Sequence, residues 1–418
     1  MSFDLLIRGG TLPDGTVTDI AISGDRIAAV EPGITAEAGE VIEAAGKLVS
    51  PPFVDPHFHM DATLSYGTPR INASGTLLEG IELWGELRAV LKPEEVVERA
   101  LEYCRIAVGK GLLAIRSHVD VTDARLAGVE GLLEVREQVK DVIDLQLVAF
   151  PQDGWYRSPG AEANLIRALD MGVDIVGGIP HFERTMADGA ASVRAACEIA
   201  AERGLMVDLH CDESDDPMSR HIETLAAETI RCGLQGRVVG SHLTSMHSMD
   251  NYYVAKLLPL IAEAQVAAVP NPLINITLQG RMDTYPKRRG LTRVKEMRAY
   301  GIEVGFGQDC TKDPWYPLGG AEMLDVAFMG LHVGQFTSPE EMRSCFEMVT
   351  ASSARIMGLD YGLAPGKAAS LVVLDAPDPV EAIRTRPARL AVVSKGKVVA
   401  RTVPAETSLS GSGWINPA

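Results

Sequence analysis

Between about residues 50 and 360 the chain repeats one pattern, a short, nearly continuous apolar run ending in polar residues and then a longer amphipathic helical stretch. Eight runs are legible: Phe53–His59, Ala114–Val121, Asp144–Pro151, Asp174–His181, Met206–Glu213, Arg237–Thr244, Val266–Pro272 and Glu303–Asp309. Strands apolar on both faces and separated by helices belong to a parallel sheet, because helical crossovers cover each face. Eight such units within residues 51–359 predict a (β/α)₈ barrel, an α/β fold whose chemistry gathers at the C-terminal ends of the strands.

The two ends of the chain read differently. Asp4–Arg8, Asp19–Ser23 and Arg26–Val30 are short β-rich segments separated by Gly-Gly, Gly-Asp and Pro-Gly turns, and Ala369–Asp375 and Leu390–Arg401 look the same. Neither end can bury a core alone. Residues 1–50 and 360–418 are therefore expected to pair into one small β-sandwich accessory domain beside the barrel. A chain of 418 residues, 46% apolar, supplies core enough for both.

A net charge of -17 excludes partners that select Lys and Arg clusters, so neither nucleic acid nor an anionic membrane surface is expected. A small neutral or cationic ligand fits better. The cysteines, Cys104, Cys197, Cys211, Cys232, Cys310 and Cys345, are scattered without a C-x-x-C pair, as suits a reducing cytosol. The first residues lack the pattern of a secretory signal, and the richest apolar stretch, Leu257–Val269, contains Glu263. A cytoplasmic protein is expected.

Six of the nine histidines, His57, His59, His118, His181, His210 and His242, fall at or near the ends of the proposed strands, which marks those ends as one polar centre. His221, His247 and His332 fall in helices or loops and are read as structural. In Asp55-Pro56-His57-Phe58-His59, strand periodicity puts both imidazoles on one face. Two such rings can share a cation, but they are equally compatible with a hydrogen-bonded core pair. Further donors stand where a barrel requires them, with His210 ending the fifth run, His242 the sixth and Asp309 the eighth.

Taken together, these residues resemble the pattern of the amidohydrolase superfamily over nearly the whole chain. Gly366-Lys367-Ala368-Ala369-Ser370-Leu371-Val372-Val373-Leu374 is similar to its C-terminal strand motif, with Ser370 where Asp is more usual. Binuclear members generally place a carboxylated lysine on the fourth strand, and neither the third nor the fourth run here contains lysine. The resemblance thus implies one divalent ion, Zn²⁺ or Fe²⁺, held by His57, His59, His210 and Asp309. Such an ion makes hydroxide available near neutral pH. Glu213, three residues beyond His210, is positioned for proton transfer to the substrate.

The likeness is closer to the bacterial cytosine deaminases. Ser74–Glu82, Val148–Gln152, Asn271-Pro272-Leu273, Leu278–Arg281, Asp283–Gly290 and Asp313–Gly319 all resemble segments of that family. By position the resemblance implies that Glu213 shuttles a proton to the ring nitrogen, that His242 stands beside the developing charge, and that Asp309 helps move a proton to the leaving ammonia. Gln152 would bond the amide edge of the pyrimidine, the Leu77 carbonyl would accept its ring N–H, and Trp315 would pack near the base. Homo-oligomerisation is a further expectation of the family.

Two departures stand out. The family usually shows a second Asp after the metal-binding one and a His before it, whereas this chain has Gln308-Asp309-Cys310. Cysteine is smaller and less polar than aspartate, so Cys310 opens apolar room beside the ring, and a substituent at carbon five could occupy it. The expected substrate is therefore free cytosine or 5-methylcytosine. Two other readings stay open: a deaminase of another cyclic amidine such as isoguanine, an s-triazine or a creatinine-like compound, and a barrel scaffold without catalysis. A nucleic-acid deaminase is excluded, because the P-C-x-x-C zinc motif is absent.

Overall fold

The computed structural model describes residues 2–409, so Met1 and residues 410–418 of the expected accessory domain lie outside the described residues. Five strands precede the first apolar run: β1 (Phe3–Thr11), β2 (Val17–Ser23), β3 (Arg26–Glu31), β4 (Ala38–Glu43) and β5 (Leu48–Ser50). The central runs then form β6 (Phe53–Phe58), β7 (Leu112–Asp120), β8 (Asp144–Phe150), β9 (Ile175–Gly178), β10 (Met206–Cys211), β11 (Val238–His242) and β12 (Ala267–Val269). These seven pair in parallel in sequence order, with helices between them. After the barrel come β13 (Leu371–Leu374), β14 (Arg389–Ser394) and β15 (Lys397–Ala400).

The eighth run does not form a regular strand. Glu303–Asp309 lies extended between β12 and β6, joined only by isolated bridges, Ala268 to Val304 and Phe58 to Asp309. Gly307 fits closely against both neighbours there, since a Cβ on it would sit 2.3 Å from Asn271 Oδ1 and 2.8 Å from the His57 Cβ. Two other runs end early. β9 stops at Gly178 and gives way to a short 3₁₀ turn at Pro180–Phe182, since Pro180 has no N–H to continue the ladder. β12 stops before Pro270, and Pro272 opens the helix Pro272–Leu278.

In the terminal sheet β1 pairs with β2, β4 and β5, so the sheet forks and closes over its own core. The strand order β15-β14-β13-β5-β1-β2-β3 interleaves both chain ends, as expected. Two features depart from expectation. The polar segment Ala38–Glu43 is a strand, parallel to β1, and Leu390–Arg401 is a hairpin rather than one strand. Side-chain alternation couples the two parts: Leu371, Val373 and Val393 enter the terminal core, while Val372, Leu374 and Val392 enter the barrel core. Among the described residues no helix is long and apolar enough to cross a membrane.

Inside the barrel, below its C-terminal mouth, lies a polar layer. Arg116 Nη1 meets Asp208 Oδ2 at 2.9 Å, both fully buried, and Arg116 also donates to Gln146 Oε1 at 2.9 Å. Ser241 Oγ completes Asp208 at 2.8 Å. These contacts cross-link β7, β8, β10 and β11. Asp208→Ala leaves the guanidinium buried without its counter-charge and is expected to cost about 3–5 kcal/mol. An earlier urea midpoint for unfolding tests this, and an unchanged midpoint contradicts it.

Candidate active site

Strand ends deliver the polar residues to one point. β6 carries His57 at its end and His59 just beyond it, β10 carries His210, β11 ends at His242, and the irregular eighth run ends at Asp309. Asp212, His242, Leu243 and Asp309 all adopt left-handed backbone, with φ of 53°, 67°, 54° and 71°, a conformation uncommon outside glycine, better tolerated by Asp and His than by Leu, and recurrent at functional turns. Asp212 holds its turn in place. Its carboxylate accepts the backbone N–H groups of His221 at 3.0 Å and Ile222 at 2.9 Å, and its carbonyl accepts that of Ser245 at 3.0 Å. The chain thereby reverses and leaves Glu213 facing the mouth.

Four donors converge. Asp309 Oδ1 lies 3.5 Å from His57 Nε2 and 3.3 Å from His59 Nε2, and His59 Nε2 lies 2.9 Å from His210 Nε2. All four offer atoms within 4.8 Å of one another, and all are buried. Around a tetrahedral ion with bonds of about 2.0–2.2 Å, donor atoms stand about 3.3–3.6 Å apart. Both ring nitrogens of His57 and the Nδ1 of His210 are buried without a hydrogen-bond partner. Unpaired buried donors are expensive, so a divalent cation fits this set better than an empty polar core.

Electrostatics separate the two carboxyls at this centre. Burial raises the Glu213 carboxyl well above its usual range, and Asp309 pushes it further in the same direction. Burial works against ionisation of Asp309 as well, but His242 and His57 outweigh it and hold that carboxyl well below the usual range. His242 faces both, with Nδ1 3.5 Å from Glu213 Oε1 and Nε2 3.7 Å from Asp309 Oδ2.

A small pocket opens directly over this cluster. Leu77, Gln152, Cys310 and Trp315 all line it, together with Glu213 and His242. Trp315 is seated by two devices. Asp313 accepts the N–H groups of Trp315 and Tyr316, each at 2.9 Å, and Gly80 leaves room that a Cβ would close to within 2.2 Å of the indole.

Several contributors escape sequence reasoning. Ile179, Ile274 and Leu278 supply the apolar lining, Phe150 stacks on the His210 ring at 4.0 Å, and Asn275 bonds His242. The strand-end rule could have found Phe150. Ile274 and Asn275 sit on no recognisable motif of their own. His118 lies under His57, with ring centroids 4.1 Å apart, and His181 Nδ1 bonds the His210 carbonyl at 3.1 Å, so both support the cluster from behind. Gln308 turns away from the pocket, its backbone N–H on Asp55 and its amide on Thr311. His221, His247 and His332 do not line the pocket.

The amidohydrolase family profile matches residues 40–400. At 40% identity the chain superposes with a TM-score of 0.94 on a crystal structure of 5-methylcytosine deaminase from Klebsiella pneumoniae bound to 5-fluorocytosine, covering 97% of this chain and 99% of the other. It is 30% identical over 412 residues to N-isopropylammelide isopropyl amidohydrolase of Pseudomonas sp. (strain ADP), covering 96% and 98% of the two chains. It is 29% identical to a pterin deaminase of Rhizobium rhizogenes, covering 92% and 88%. If the four donors share one ion, His59→Ala lowers the metal content of the purified protein well below that of the parent while the circular dichroism spectrum stays the same. Elemental analysis reads this, and full retention of metal counts against the four-donor set.

Proposed function

The chain belongs to the amidohydrolase family, metal-dependent hydrolases that act on C–N bonds, and we propose that it deaminates a free cytosine-type base, with 5-methylcytosine accepted as well as or better than cytosine. One observation carries the reading: Gln152, Leu77, Cys310 and Trp315 line a single small pocket that also contains Glu213 and three of the four candidate donors, His59, His210 and Asp309. His57, His59, His210 and Asp309 would hold one Zn²⁺ or Fe²⁺, which would supply hydroxide near neutral pH.

The chain's own residues do the rest. Gln152 bonds the amide edge of the ring, the Leu77 carbonyl accepts a ring N–H, and Trp315 packs beside the base. Glu213, kept protonated by burial, gives its proton to the ring nitrogen next to the amino-bearing carbon. That carbon becomes electrophilic enough for water to add. His242 faces the charge that develops there, and Asp309 helps pass a proton to the departing ammonia, leaving uracil or thymine. Cys310 supplies apolar room for a methyl at carbon five.

A second reading follows from the 30% identity to N-isopropylammelide isopropyl amidohydrolase, which extends over nearly both chains. On that reading the substrate is an s-triazine, isoguanine or another cyclic amidine. The proposal also carries a homo-oligomer in the cytoplasm, and a division into a barrel of residues 51–359 with an accessory domain of 1–50 and 360–418.

Three measurements test it. Steady-state rates with cytosine, 5-methylcytosine, isoguanine and N-isopropylammelide are expected to favour the two pyrimidines, and no turnover of either sinks the assignment. Cys310→Asp is expected to shift the ratio of kcat/KM values toward cytosine by about 10- to 200-fold, the worth of one methyl in a fitted pocket. An unchanged ratio removes Cys310 from specificity. Separately, Glu213→Gln is expected to lower kcat by about 10²–10⁴-fold with metal content intact. A variant that retains full turnover refutes the role given to Glu213.

A further inference from the structure

Which ring nitrogen of His242 carries the proton decides what this side chain offers a reacting base. The helix Pro272–Leu278 begins just after β12 and turns Asn275 toward the ring. Asn275 Oδ1 accepts the backbone N–H of Asn271 at 3.0 Å, and a backbone N–H can only donate. That contact fixes which end of the amide is oxygen. The NH₂ end therefore faces His242 Nδ1, at 3.0 Å. An amide NH₂ also only donates, so Nδ1 must present its lone pair, and a neutral imidazole then holds its proton on Nε2.

The surroundings reinforce this choice. Asn271, Asn275 and His242 are 0%, 0% and 1% exposed, so bulk water does not compete for these atoms. The Asn271 amide nitrogen lies 3.4 Å from both ring nitrogens, on the bisector of the ring, and favours neither. Nε2 points toward Asp309 Oδ2, 3.7 Å away. The competing partner is Glu213, with Oε1 3.5 Å from Nδ1, because an ionised carboxylate there would draw the proton onto Nδ1. The Asn275 contact is the shorter of the two.

We propose that Asn275 is a positioning residue that holds His242 as the Nε2–H tautomer, so that the ring presents an N–H donor toward Asp309 and the substrate. This deepens the deaminase reading and rests on it for the kinetic consequence alone.

The tautomer can be read from long-range ¹H–¹⁵N correlation spectra of ¹⁵N-histidine-labelled, Zn²⁺-reconstituted protein, with the His242 signals identified by their loss in His242→Gln. The parent protein is expected to show a bare, pyridine-like Nδ1 and a protonated Nε2. A proton on Nδ1 in the parent overturns the proposal and passes control to Glu213. Asn275→Asp replaces the donor by an acceptor and is expected to move the proton to Nδ1, lowering kcat on the order of 10²-fold while KM and metal content hold. Asn275→Ala removes the donor without burying a charge, so it serves if the aspartate variant does not fold, and it is expected to give mixed tautomer signals. A spectrum unmoved by either substitution overturns the proposal. Should no cyclic amidine be turned over, the deaminase reading fails while the parent spectrum still decides the tautomer.

Discussion

Two backbone hydrogen bonds tie the closure of the barrel to the assembly of its site. Asp309 donates to the His57 carbonyl at 2.8 Å, and His59 donates to the Asp309 carbonyl at 3.0 Å. The same pair joins the irregular eighth run to β6 and sets the Asp309 carboxylate between two imidazoles. Gly307 makes this possible, since its missing side chain lets the last run pass against His57 and Asn271. Had the eighth run been a regular strand, its ladder would have been satisfied by the sheet alone. Instead, the strained turn at Asp309 sits at the point where a carboxylate must reach across the barrel.

The pocket depends on a second set of ties, between elements distant in the chain. The helix Leu77–Arg88 carries Leu77 at its start and Arg88 at its end, and Arg88 pairs with Asp120 at 2.6 Å and Asp153 at 2.5 Å. Asp153 adjoins Gln152, so one guanidinium holds the helix beside the loop that carries the pocket's amide. Trp84, on the same helix, donates to Asp120 at 2.7 Å. From the other side Glu183 accepts the N–H groups of Trp155, Tyr156 and Arg157, just beyond Gln152. Half-buried ion pairs of this sort gain from low dielectric without the full penalty of complete burial. Both walls of the pocket are thus fixed by contacts outside it.

Much of this was legible in the chain, for a physical reason. A strand buried on both faces must be apolar along its length, so polar residues at its end are conspicuous, and His57, His59, His210, His242 and Asp309 were found in that way. Ala38–Glu43 was missed because a strand at the edge of a sheet needs few apolar side chains, and Glu40 and Glu43 read as loop. The apolar runs extend past Pro180 and Pro270, where the strands stop, since hydropathy continues past the point where the backbone can no longer pair. Asn275 stayed hidden for another reason: its partner His242 lies 33 residues away on a different element, and nothing in the local sequence links them. Pocket walls built from helices suffer the same way, because Ile274 and Leu278 look like ordinary core.

Cys310 gains meaning once its neighbours are known. Its Sγ lies 3.7 Å from Asp309 Oδ1, and Asp313 stands close by with its carboxyl pushed up to about 7 by burial. An aspartate at this position, as in the cytosine deaminases the chain resembles, would add a carboxylate to a buried place that already holds two. Like charges so close cannot all ionise cheaply. The thiol avoids that conflict, because burial, together with Asp313 and Asp309, keeps it protonated. What it gives up is a strong acceptor facing the pocket. Under the proposed deaminase reading, the trade would exchange polar grip on a substrate for apolar contact, in favour of a base whose outer edge carries carbon rather than a bare C–H.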